Sequence, residues 1–324
     1  MLRSWTVAAL SGLVVAVGVA HASSWPTRPV TMVVPFAAGG PTDVVGRILA
    51  GRLGELLKEQ VVVLNVGGAG GMTGADRVAR ARPDGYEMLL GTVGTQAYSQ
   101  TLYKKPLYSA TKDFAPVVLI AEQPLVLVVR KNFPAHSLKE FAAYAKANAT
   151  KLSFGSGGAG SATHLGCVLL NSKLGINVQH VPYRGSAPAL QDLMAGRIDY
   201  LCDAVSTELS PIKAGSVRPI AMLTSRRSAV LPDVPTAKEQ GYAVDANNWI
   251  GLFFPRHTPD QIIHRLRDAT VAAMNTPSLR ARMETIGTDL VPADRTSSTY
   301  LEHFVASEIK KWATPIKESG VSVD

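Results

Sequence analysis

An α/β fold in two lobes is predicted by three features of the sequence. Short continuous apolar runs such as Val61-Val62-Val63-Leu64 read as strands covered on both faces. Amphipathic stretches at helical spacing alternate with those runs, the pattern of βαβ units in a largely parallel sheet. A strand, a glycine-rich turn and a helix start also occur once in each half, at Pro35-Phe36-Ala37-Ala38-Gly39-Gly40-Pro41-Thr42-Asp43 and at Gly155-Ser156-Gly157-Gly158-Ala159-Gly160-Ser161-Ala162-Thr163-His164. Glycines allow close backbone approach to a ligand, and a helix start leaves its first amides unpaired and facing the turn. Either turn alone is an ordinary strand-to-helix connection; the pair points to an anion held between two halves.

Residues 1–22 carry Arg3, an apolar run over 7–20 interrupted by Ser11, Gly12 and Gly18, and Ala20-His21-Ala22 ahead of Ser23. This is the pattern of a secretory signal peptide, with cleavage expected after Ala22. The run is too short and too rich in glycine to span a bilayer comfortably, and no cysteine follows it for lipid attachment. The mature chain is expected outside the cytoplasm. At 46% hydrophobic and 18% charged residues it has core material for two domains. The formal charge of +8 becomes +7 without Arg3, with 32 basic residues left of 33 against 25 acidic ones. That excess is dispersed, its densest clusters being Arg77/Arg80/Arg82, Arg226-Arg227 and Lys310-Lys311, which excludes a nucleic-acid surface and suits an acidic small molecule.

After the first turn, Val44, Val45, Ile48, Leu49, Leu53, Leu56 and Leu57 form the apolar stripe of a helix. Asp43 complements the dipole of that helix and is spaced to pair with Arg47. A strand over 61–65, the glycine loop Gly67-Gly68-Ala69-Gly70-Gly71, a helix through Arg80 and a strand over 86–90 ending at Gly91-Thr92 follow. Apolar runs at 114–121 and 125–130 predict two strands separated by Glu122-Gln123-Pro124, where the chain crosses into the second lobe. Ser137 and Glu140 form a capping box for a helix to about 148. The second turn leads into a helix to about 174, a strand over 178–181, a helix over 186–195 closed by Gly196, and a strand over 200–203. A strand over 219–223 is expected to lead back to the first lobe. Capping boxes at Thr236/Glu239 and Thr258/Gln261, the latter with Pro259 at the first helical position, flank a strand over 249–254. Helices over 259–275, 277–286 and 299–317 complete the chain, the last bent or ended near Pro315. The domain division is 1–22 as signal, 23–123 and 226–324 as lobe 1, and 124–225 as lobe 2.

Enzymatic chemistry finds little support. The second turn formally matches G-x-G-x-x-G, but the following strand ends without the acidic residue that would hold a ribose. No glycine turn carries a P-loop lysine, and no G-x-S-x-G elbow is present. A nucleophile and base could be assembled only from Ser156, Ser161 or Thr163 with His164, whose basicity a helix N-terminus would lower. The histidines are not at metal-ligand spacing, and no cofactor is expected. Cys167 and Cys202 can be a disulfide, worth about 3 to 4 kcal/mol on the chain-entropy estimate, or two separate buried thiols.

Eight motifs stand in order along the mature chain: Trp25-Pro26-Thr27-Arg28-Pro29-Val30, the first turn, Gly68-Ala69-Gly70-Gly71, Pro83-Asp84-Gly85-Tyr86, Lys112-Asp113-Phe114-Ala115-Pro116-Val117, His180-Val181-Pro182-Tyr183-Arg184-Gly185, Leu231-Pro232-Asp233-Val234-Pro235-Thr236 and Thr258-Pro259. With them the chain resembles the Bug receptors, the periplasmic solute-binding proteins of tripartite tricarboxylate transporters. The resemblance implies a Venus-flytrap periplasmic binding protein with its ligand cleft between the lobes. It further implies a monomer, no enzymatic activity, a small carboxylate ligand, and delivery to the membrane subunits of such a transporter or to a membrane sensor kinase. Carried onto this chain, the first-lobe grip falls on Phe36, Ala37, Gly39, Gly40 and Thr42, supported by Gly91 and Thr92. The second-lobe grip falls on Ser156, Gly157, Gly158, Ser161, Thr163 and His164, with Tyr183 and Asp203 at later strand ends. Tyr183 could equally be core, and Asp203 a helix cap. Val66-Gly67 replace the family's basic residue and proline, and Ala159 its polar residue, which bears on ligand identity and not on fold.

Overall fold

The computed structural model describes residues 25–323; the expected signal peptide lies outside them. Val30–Val34 (β1) leads through the first turn into Pro41–Leu57 (α1), Val61–Asn65 (β2), Met72–Ala79 (α2) and Glu87–Thr92 (β3). A π-helical turn at Gly94–Tyr98 continues into Ser99–Leu102 (α3), and Phe114–Arg130 (β4) follows. The next elements are Leu138–Asn148 (α4), Ser153–Ser156 (β5), Ala162–Leu174 (α5), Gln179–Pro182 (β6), Ser186–Met194 (α6), Tyr200–Ala204 (β7), Val205–Lys213 (α7) and Val217–Met222 (β8). Asn247–Pro255 (β9), Asp260–Met274 (α8), Pro277–Thr285 (α9), Asp289–Leu290 (β10) and Ser298–Glu318 (α10) end the chain. The predicted α/β class and all but the short elements π-turn, α3, α7 and β10 were legible from patterning.

The sheet runs in the order β2-β1-β3-β9-β4-β7-β5-β6, with β8 and β10 also pairing with β4. Strand β4 therefore belongs to two packing units. Its first half lies with Val30, Leu49, Leu89, Phe253, Leu266 and Leu301 in one core. Beyond Pro124 its alternating side chains feed two faces of a second unit: Leu125, Leu127 and Val129 meet Phe141 and Cys167, while Val126 and Val128 meet Ala189, Leu201 and Leu231. The two strands expected at 114–121 and 125–130 are thus one. The polar residues between them do not break it because β9 answers them in register: Glu122, Gln123 and Pro124 face Trp249, Asn248 and Asn247. Asn247 Nδ2 donates to Glu122 Oε2 at 3.1 Å, and Asn248 Nδ2 to Gln123 Oε1 at 2.8 Å.

Four local expectations are corrected. Strand β8 pairs antiparallel with the second half of β4 and does not lead back; Leu231, Val234, Ala237, Val244 and Ala246 still pack in the second unit. The Thr236/Glu239 pair makes both capping-box hydrogen bonds, yet it closes a turn with no helix after it. Thr258 donates its hydroxyl to the Pro255 carbonyl at 2.8 Å and does not cap α8, which starts at Asp260. Helix α10 continues through Pro315, whose missing amide costs a single bond three residues from the end. Cys167 on α5 and Cys202 on β7 form a disulfide with their Cα atoms 5.3 Å apart, which fastens the second-turn helix to the neighbouring strand. Among the described residues no helix is long and apolar enough to cross a membrane.

Candidate functional site

Helix α1 begins after Gly40 with no side-chain cap, so the amides of its first turn have no acceptor within the helix. Asp43 holds the turn instead. One carboxylate oxygen accepts from the Gly39 amide and from Arg47 Nε, each at 2.9 Å, and the other accepts from Asn65 Nδ2 at 2.9 Å. Asn65 also donates to the Phe36 carbonyl, tying the turn to β2. Burial raises the pKa of the Asp43 carboxyl, but Arg47, the Gly39 amide and Asn65 together hold it below the ordinary carboxylate value. Asp43 is therefore ionised and fully engaged, with the Arg47 partner its spacing predicted.

The second turn is fastened without charge. Ser161 caps α5, its Oγ accepting from the His164 amide at 3.2 Å. Thr163 Oγ1 accepts from the Gly157 amide at 2.8 Å and lies 3.1 Å from Ser161 Oγ. Ser156 Oγ accepts from the Gly158 amide and sits 2.7 Å from His180 Nε2. His164 Nδ1 accepts from the Gly160 amide at 3.2 Å, which fixes its proton on Nε2. His164 and His180 stack with centroids 4.1 Å apart, and Phe154 continues the stack 4.9 Å from His180. Burial, with His180 beside it, pushes His164 down to about 3, and burial pushes His180 down to about 4. Both rings are neutral supports behind the turn.

The two turns meet. The Ala37 amide donates to the Arg184 carbonyl at 2.9 Å, and the Tyr103 hydroxyl lies 2.9 Å from both the Ala69 and Ala159 carbonyl oxygens. A Cβ on Gly70 would fall 1.9 Å from the Ala159 oxygen, so only glycine permits this approach. Between the turns lies a cavity of about 20 Å³, room for about one water. Thr42, Thr163 and Ser186 bring the N-terminal ends of α1, α5 and α6 to its wall, and Phe36, Thr92 and Asn248 complete much of the rest. Among the described residues, no charged side chain lines it. A larger groove of about 490 Å³ lies elsewhere, bounded by Arg226, Trp249, Glu308 and Trp312; its carboxylates and cations are largely paired, as in Arg226–Asp289 and Lys311–Glu308, and it has no converging helix starts.

Of the sequence-derived set, Phe36, Thr42, Thr92, Gly157, Ser161 and Thr163 line the cavity. Ala37, Gly39 and Gly40 form the turn beside it, against Arg184, Gly185, Ser186 and Ala187. Gly158 abuts Gly70 and the Tyr183 carbonyl. Ser156 and His164 lie behind the second turn, and Gly91 lies under the Phe253 ring. The Tyr183 hydroxyl donates to Asp192 at 2.7 Å and so turns to the helix α6 side. Asp203 is buried and accepts from the Ala204 amide at the start of α7. Burial pushes it up to about 6, beside Ser186 and an equally buried Glu208 whose own carboxyl is raised well above its usual value. Sequence reasoning missed Ser186 and Asn248. The signals were the helix start after Gly185 and the Asn247-Asn248 doublet at the head of an apolar strand.

Residues 45–321 match the family model described as "Tripartite tricarboxylate transporter family receptor". A protein from the TAR-I ttuE-ttuC' intergenic region of Agrobacterium vitis is 39% identical over 298 residues, covering 92% of this chain and 86% of that protein. Among solved structures, the periplasmic binding protein BugD superposes with a TM-score of 0.89 at 38% identity, over 92% of this chain and 99% of that one. MatC from Rhodopseudomonas palustris, solved with bound malate, gives 0.88 at 37% identity, over 90% and 100%.

Proposed function

Because this chain belongs to the tripartite tricarboxylate transporter receptor family, we propose that it captures a small carboxylate between two lobes and delivers it to the membrane subunits of such a transporter. It is a periplasmic solute-binding receptor of the Bug type. The ligand class proposed is a di- or tricarboxylate, an acidic amino acid or a related organic acid, and the malate held by MatC supports it. The observation that carries the reading is the convergence of three helix N-termini on one cavity lined by no charged side chain. Thr42, Thr92, Gly157, Ser161, Thr163 and Ser186 are the proposed contacts. Charge-assisted hydrogen bonds contribute about 1.5 to 3 kcal/mol each and a helix start roughly 0.3 to 2 kcal/mol. A few of each, less the cost of ordering and closure, reach the roughly 8 kcal/mol of micromolar binding.

The lobes proposed follow the cores, with 23–123 and 247–324 in the first and 124–246 in the second, so the return crossing moves from 226 to the head of β9. The cavity is smaller than any dicarboxylate, so the lobes separate to admit ligand and close on it. We read the chain as an exported monomer cleaved after Ala22, and as no enzyme. Ser156 is 1% exposed, and the imidazole hydrogen-bonded to it, that of His180, is too weakly basic to activate it. Thermal shift of the chain from Ser23 onward against carboxylates and their matched amides tests the reading. Stabilisation by one or a few acids and not by their amides is expected; stabilisation by neutral compounds alone would remove the anion clamp.

A further inference from the structure

The polar floor of the cavity has an orientation that neighbouring groups dictate. Gln123 Nε2 lies 3.2 Å from the Pro41 carbonyl oxygen and 3.1 Å from Ser206 Oγ. A carbonyl only accepts, so this end of the Gln123 amide is its NH₂. Its oxygen therefore faces Asn248, whose NH₂ donates to it at 2.8 Å. That leaves Asn248 Oδ1 as an acceptor, buried and without a partner among the described residues, on a side chain that lines the cavity and is 4% exposed. Gln123 and Asn248 are register partners on β4 and β9, at the point where β4 passes from the first core to the second.

We infer that Asn248 is a specificity residue that selects acids bearing a hydrogen-bond donor, a hydroxyl or an ammonium, next to the bound carboxylate. The inference rests on the carboxylate reading above. A bare amide oxygen repels a carboxylate and accepts from O–H or N⁺–H; unfilled, it is a costly orphan. The helix starts at Thr42, Thr163 and Ser186 take the anion, and Asn248 takes the donor. Asn248 and the three helix starts line the same cavity, so the donor that Asn248 meets is the one beside the bound carboxylate, on the adjoining carbon. The class is 2-hydroxy or 2-amino acids over their unsubstituted counterparts.

Calorimetric titration with matched pairs at three chain lengths tests this: malate and succinate, 2-hydroxyglutarate and glutarate, 2-hydroxyadipate and adipate, with aspartate and glutamate as the amino forms. The wild type is expected to prefer the substituted member of the bound pair by about tenfold or more. Asn248→Ala is expected to bring that ratio close to one. Gln123→Met, which releases Asn248 to rotate, is expected to reduce it as well, so a folding defect in one variant does not decide the matter; melting curves report folding of both. Equal affinity within pairs, or a preference that survives both substitutions, overturns the role of Asn248 while leaving the carboxylate clamp intact. Binding of no acid in the panel overturns the clamp and this inference together.

Discussion

The two glycine turns present helix starts to one cavity, but they are fastened by different chemistry. In the first, a buried carboxylate gathers a backbone amide, an arginine and an asparagine around itself. In the second, hydroxyls and neutral imidazoles do the same work, with the ring stack behind them. The difference teaches that a turn presenting a helix start to a cavity can contain a negative charge, provided that its own donors satisfy that charge. The first turn keeps its fastening over a wide pH range. The second depends on two histidines remaining unprotonated.

The largest expected effect comes where the glycine loop before α2 touches the second turn. Gly70→Ala would place a methyl 1.9 Å from the Ala159 carbonyl oxygen and strain a residue at φ 62°. The lobes then cannot reach this approach, and ligand affinity is expected to fall roughly 100-fold or more, about 2.8 kcal/mol. Gly51→Ala, on α1 with no atom within 4 Å of the added carbon, is the matched control and is expected to stabilise by about 0.5 to 1 kcal/mol. Similar affinity loss in both variants would mean that the contact between Gly70 and Ala159 does not govern closure.

Next in size is the contrast between fasteners. Asp43→Ala orphans the Gly39 amide, frees Arg47 and leaves Asn65 Nδ2 only its bond to the Phe36 carbonyl, and is expected to cost roughly 2 to 4 kcal/mol. Ser161→Ala removes the α5 cap and is expected to cost about 1 kcal/mol. Denaturant unfolding measures both, and equal losses would erase the distinction between a charged and a neutral fastening.

Much of this was readable in the sequence because it is local. Apolar runs gave the strands, and strand-glycine-helix junctions gave both turns. What was hidden depends on pairing across the chain. Glu122-Gln123-Pro124 looked like a break because the residues that satisfy it, Asn247 and Asn248, come more than 120 positions later. Ser186 looked like a plain helix start, and only the approach of Gly40 brings it to the cavity. His164 has the position of a ligand contact, but stacking on His180, 16 residues away, turns it to a supporting role. Helix α7 carries Pro211 inside it, and β10 has two residues, too few for any period to show.

Acidification separates the turns further. His164 and His180, at about 3 and 4, bind fewer protons folded than unfolded, where the ordinary value is 6.5. Their contribution to stability is complete above pH 6.5 and falls as pH drops toward 4. Asp203, at about 6, and Glu208, raised well above its usual value, have the opposite sign: the folded state binds more protons, so their contribution falls as pH rises from about 4 through 6. The two groups oppose each other across that window, at on the order of 1.4 kcal/mol per proton per pH unit. Wild-type melting temperature is therefore expected to change little between pH 6.5 and 5, while Glu208→Gln, which keeps only the Asp203 share of the acid-favouring component, melts progressively lower. Parallel profiles for the two proteins would show that Glu208 does not take up a proton on folding in this range.

The smallest expected effect concerns the hydroxyl that bridges the glycine loop before α2 and the second turn. Tyr103 carries one proton and has two carbonyl oxygens at 2.9 Å, Ala69 on its own side and Ala159 across the cleft. Burial raises its pKa, so the phenol stays neutral and donates at all working pH values. When the lobes part, the Ala69 bond remains available to that proton and only the Ala159 share is lost. The contribution to closure is thus a fraction of a hydrogen bond, at most about 1 kcal/mol. Tyr103→Phe keeps the ring against Gly160 and is expected to speed ligand release by up to about fivefold, with melting temperature nearly unchanged in the absence of ligand. Stopped-flow dissociation measures it. An unchanged release rate would mean that the hydroxyl donates to Ala69 in both states and leave the contact between Gly70 and Ala159 to hold these two loops together.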